Sequence, residues 1–154
     1  MKIIRTTKTK LVFHLGRREK HLLQDILHRY PRIPPAHQPL SKSGRVPDRE
    51  ANQRLLDEAL AEQRAENKRQ VQALLADAGR FQERATGCDL SLSRSEAEWL
   101  LQVLNDIRVG SWICLGSPEE KLLPVTVEAG RDFWVMEMAG CFQAELLEAL
   151  EGET

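Results

Sequence analysis

The 154-residue chain has no apolar run near the roughly 18 residues that cross a bilayer. Its opening, MKIIRTTKTKLVFHLGRREK, contains no uninterrupted apolar core of the signal-peptide kind. These two absences predict a cytoplasmic protein with no membrane partner. Three cysteines, Cys88, Cys114 and Cys141, are odd in number and form no CxxC pair, which argues against a disulfide framework or a zinc ribbon. They are expected as reduced thiols, Cys114 and Cys141 in helical core segments. GxSxG, Walker A, GxGxxG and HExxH motifs are all missing, so no catalytic or cofactor-binding set is assigned.

What is present suits an ordinary globular chain, with 42% hydrophobic and 29% charged residues. Its length fits one domain over residues 1–154 that buries about 70% of its unfolded surface without a metal or disulfide staple. Net charge is only −1 but is unevenly spread. Residues 1–49 carry twelve Lys/Arg against Glu19, Asp25 and Asp48; residues 115–154 carry nine acids against Lys121 and Arg131. The basic third either folds against the acidic tail or offers a surface to an acidic partner.

Ile3 and Ile4, then Leu11 to Leu15, flank TTKTK and predict an N-terminal β-hairpin. Leu22, Leu23, Ile26, Leu27 and Tyr30 make a helical stripe that Pro31 ends. Residues 31–47 hold five of the seven prolines and read as an extended loop whose PxxP spacings could also serve as a ligand. From an Asp48 cap to about Ala85 runs a long charged helix, or two helices broken near Asn67. Asn67 lies on its apolar stripe, a position that can set coiled-coil register, so a homodimer stays open. TGCDLSL reads as a loop. Ser93 and Glu96 then form a capping box for a central helix from Arg94 to Leu115, which Gly116 to Pro118 stop. A helical turn in PEEKLLP, a short extended piece at Val125 to Val127 and a last helix from Asp132 to Leu150 complete a mainly α domain.

The central helix presents a broad apolar arc of about 200°, reaching from Trp99 through Leu100 to Leu115 and Leu101. Asn105 and Asp106 lie at or beyond its edge, but Arg108 falls inside it. A guanidinium among leucines needs an acid. Glu145, at the border of the last helix's apolar face, is the expected partner within the chain; a ligand's carboxylate or phosphate, or a partner protein's acid, is the alternative. Trp134 falls on the polar side of the last helix, either covered by the preceding loop or serving as a contact residue. His21, Asp25 and His28 share one helix face at metal-ligand spacing, although solvated side chains explain them as well.

EWLLQVLNDIRVGSWICLG, set in this order of elements, resembles an uncharacterised bacterial family, domain of unknown function twenty-seventeen, most closely at WLLQVLNDIR. The resemblance implies a small, mostly helical cytoplasmic protein, often encoded near the adaptor of the Clp protease, and brings no catalytic residues. Taken together, the readings favour a non-enzymatic protein-interaction module, an adaptor or regulator that binds an acidic partner. A nucleic-acid-associated protein using the basic third is the alternative, opposed by 5% aromatic content and the lack of a reading module. A small-molecule or metal-binding enzyme is the second.

Overall fold

The computed structural model describes residues 1–34, 48–117 and 126–152. The N-terminal hairpin forms as the alternation demands: β1 (Lys2–Thr6) pairs antiparallel with β2 (Lys10–Gly16). The Thr7 hydroxyl accepts the Lys10 amide at 3.0 Å and closes the turn. Helix α1 (Arg17–Leu27) follows at once, and the Glu19 carboxylate reaches back to accept the Gly16 N–H at 2.8 Å.

Helix α2 (Arg49–Ala76) is one continuous helix of 28 residues. It stops nine residues before the expected end, and Asp48 stands at its start in a left-handed conformation without a side-chain cap bond. The next residues correct the mainly α expectation. Phe81–Arg84 forms β3 rather than the tail of the helix, and Gly87–Ser93 forms β4 rather than a loop. Helices still dominate, but the two hairpins join into a four-stranded antiparallel sheet ordered β1-β2-β4-β3, so the fold is mixed α/β.

In GCDLSLS every second residue is apolar, and Cys88, Leu90 and Leu92 turn inward beside Leu11, Phe13 and Leu15 of β2. At Gly87 a Cβ would stand 2.0 Å from the Leu15 carbonyl oxygen, so only glycine lets the two strands close here.

Ser93 and Glu96 make the expected capping box, and α3 (Arg94–Cys114) runs into the core. Its buried residues are Ala97, Leu100, Val103, Leu104, Ile107, Gly110 and Ser111. Helix α4 (Val127–Glu151), capped by Thr126, packs back along α3. It begins five residues earlier than expected and takes in Val127. The sheet's inner face lies on α1, α3 and α4 around one continuous core. Residues 35–47, and with them most of the proline-rich loop and its PxxP spacings, lie outside the described residues, as does PEEKLLPV.

The cysteine expectation is reversed: Cys88 is buried on a strand, whereas Cys114 and Cys141 are exposed on helices. Burial pushes the Cys88 thiol above its ordinary value, which keeps it a packing group rather than a nucleophile.

Candidate partner-binding surfaces

The polar trio of α3 divides into three fates. Asn105 is exposed. Asp106 is the structural member: its Oδ1 accepts the Arg32 amide at 2.8 Å and the Ile33 amide at 3.4 Å, and Arg64 of α2 stands 4.0 Å from its other oxygen. Arg32 can lie there because Gly110 leaves room; a Cβ at 110 would be 2.3 Å from the Arg32 Cβ and 2.5 Å from its carbonyl carbon. Arg32 also pairs with Asp132 of α4, one link between the basic third and the acidic tail.

Arg108 is not buried, which corrects the expectation that Glu145 or another acid locks it inside. Leu101, which sets the edge of the predicted arc beyond Arg108, is only half-buried. At about 100° per residue the buried set spans about 140°, with Arg108 about 20° outside it. Its stem passes over Gly140 of α4, where a Cβ would sit 3.7 Å from the Arg108 Cδ. The guanidinium is exposed and has no ion pair among the described residues. Glu145 is half-buried on α4 and Trp134 is 42% exposed.

A groove of about 660 Å³ opens where Arg108 crosses α4. Val109 and Trp112 of α3 face Met136, Gly140 and Ala144 of α4, with Glu137 on the α4 side. Trp112 stands 38% exposed there. The sequence reading passed over this groove because it exists only where two helix rims meet, although Trp112 lies one turn from Arg108 on the same face.

Asn67 ties α2 to the core. Its amide donates to the Tyr30 hydroxyl at 3.1 Å, and its carbonyl accepts the Trp99 indole N–H at 3.1 Å. Burial raises the Tyr30 phenol above its ordinary value of 10.0 and keeps it protonated. Asn67 therefore sets the position of α2 within its own chain.

The second surface is the outer face of the sheet. Lys2, opposite His14, and Arg5, opposite Val12, share this face with Lys10 two residues before Val12. All three cations are exposed, and Ile4, at the register shift in β1, is 53% exposed beside them. The acid of this face, Asp89, is already engaged: His14 Nδ1 lies 2.9 Å from Oδ1, and Arg84 donates to Oδ2. Hydrogen bonds from His14 and then Arg84 hold its carboxyl below the ordinary range.

Thr86 Oγ1 lies 3.2 Å from His14 Nε2, so Thr86, His14 and Asp89 follow the order of a nucleophile, a base and an orienting acid. Arg84 neutralises the charge that would support an imidazolium, and Thr86 stands exposed on a two-residue turn. The chain reads as a cross-strand tie.

His21, Asp25 and His28 are exposed, and His28 Nδ1 lies 2.7 Å from the Gln24 carbonyl oxygen. Among the described residues no group of three His, Cys, Asp or Glu is arranged to hold a metal ion, and no helix is long and apolar enough to cross a membrane. Against protein-family models, curated proteins and solved structures, the chain gives no significant match.

Proposed function

We propose that the protein is a non-enzymatic interaction module, a bacterial cytoplasmic adaptor or regulator, that docks an acidic protein surface on the outer face of its sheet. One observation carries this reading: Lys2, Arg5 and Lys10 are exposed on one face whose acid, Asp89, is already satisfied by His14 and Arg84. Charges of one sign left over on a flat strand surface steer and orient an oppositely charged partner. Ile4 and Val12 add apolar area among the cations, the mixed composition of a protein interface. A single-stranded nucleic acid would want flat rings on which bases stack, and the exposed residues named here include none. The likeness of WLLQVLNDIR to the bacterial family stays part of this proposal, and a role in protein turnover rests on gene neighbourhood alone.

Fluorescence anisotropy with a labelled glutamate-rich peptide and a labelled single-stranded RNA of equal length tests the reading. The expected result is salt-sensitive binding of the peptide that disappears when Lys2, Arg5 and Lys10 are all changed to Glu. Tighter binding of the RNA would transfer the face to the nucleic-acid alternative. Binding of neither probe overturns the proposal.

A further inference from the structure

The groove between α3 and α4 is separate from the sheet face and carries its own argument. One wall bears Arg108 and the other Glu137; both are exposed, and neither has an ion pair among the described residues. Between them the lining is mostly apolar or small, and Leu147 continues the α4 side of the face at 45% exposure. We propose that this groove is the docking surface for a second copy of the same chain. The α3 and α4 helices of the two copies form a four-helix interface in which each α3 runs antiparallel to the partner copy's α4, with Arg108 of each copy paired to the partner copy's Glu137.

Self-complementarity is the reason for choosing a second copy. In a two-fold dimer the same patch appears on both sides, so each charge must find its opposite within that patch. A two-fold axis parallel to the helices lays α3 of one molecule over α4 of the other and keeps every residue at its own height. Arg108 is level with Gly140, since its stem crosses that residue. Glu137 precedes Gly140 by three positions, about 4.5 Å along the axis at 1.5 Å per residue. An arginine side chain covers that offset. Gly140 and Ala144 keep the α4 wall low enough for a facing helix to enter, and Trp112 supplies the aromatic anchor typical of such contacts. A lone amphipathic helix carrying only an acid would satisfy Arg108 and leave Glu137 facing apolar surface.

Sedimentation velocity on the full chain over a range of concentrations tests the proposal. The expected result is a concentration-dependent dimer. Arg108→Glu and Glu137→Arg should each raise its dissociation constant at least about tenfold, because each places like charges together. The double exchange, Arg108→Glu with Glu137→Arg, should restore the wild-type value. Both positions are exposed, so circular dichroism is expected to report an unchanged fold. A wild-type chain that stays monomeric at every concentration overturns the proposal. So does a dimer indifferent to both single reversals. The Lys2, Arg5 and Lys10 variants leave this groove untouched, so either reading can fail alone.

Discussion

Two long helices meet the rest of the molecule in opposite ways. Helix α3 buries seven of its 21 residues, whereas α2 buries only Val71 and Leu74 among 28. Leu55, in the first half of α2, is 63% exposed. The first helix is held by apolar area, which is non-directional and proportional to the surface removed from water. The second adds to Val71 and Leu74 directed polar contacts through Asn67 and Arg64, which fix its position while burying little. Removing a carbon from α3 should therefore weaken the whole molecule, whereas removing a hydrogen bond from α2 should loosen one element.

Ile107→Ala probes the first half of that contrast and has the largest expected effect. It should cost about 2–5 kcal/mol in urea unfolding, as large-to-small changes in a packed core do. Leu55→Ala should stay within about 0.5 kcal/mol, as surface changes do. Equal losses at the two sites would remove the contrast.

Asn67→Ala comes next, with an expected loss of about 1–3 kcal/mol for stranding the polar atoms of Tyr30 and Trp99. Its signature is local. Amide exchange should accelerate across residues 49–76 while α3 keeps its protection. Uniform acceleration would show that α2 is integral to the core.

The smallest effect belongs to Arg80, whose two terminal nitrogens each lie 2.6 Å from an oxygen of Glu96 at the start of α3. Those hydrogen bonds, against the opposing pull of burial, hold the Glu96 carboxyl below its ordinary value of 4.5. A carboxyl that is more acidic when folded adds stability above its unfolded pKa and loses it as pH falls through the lowered folded value. Arg80→Ala should cost about 1 kcal/mol at neutral pH, a figure reduced by solvent screening. It should also flatten the decline in stability below pH 4.5. An acid limb unchanged in slope would assign that decline to other carboxylates.

The first hairpin, α1, the Ser93 and Glu96 box and the course of α3 were legible because local spacing determines them. The second hairpin was harder to read. Phe81 falls on the helical stripe of the residues before it, and FQER contains good helix formers, so local preference points the wrong way until β4 is available as a partner. The period of two at Cys88, Leu90 and Leu92 was present, but the Gly, Asp and Ser residues between them read as turn chemistry. Arg108 was misplaced through one edge residue: counting Leu101, which is only half-buried, as part of the inner face widened the apolar arc enough to enclose it. The cations of the sheet face were visible as a basic third, but only the strand register shows that Lys2, Arg5 and Lys10 point the same way.

Gly110 has a consequence for the segment that leaves α1. The atoms that would collide with a methyl group there include the Arg32 carbonyl carbon and oxygen, so no side-chain rotation could relieve the overlap. The bare position acts as a notch, and the chain at residues 31–34 is seated in it like a strap in a buckle. The acid that fastens the strap also faces Arg64 of α2, so a single carboxylate on α3 anchors both the end of that segment and the long helix.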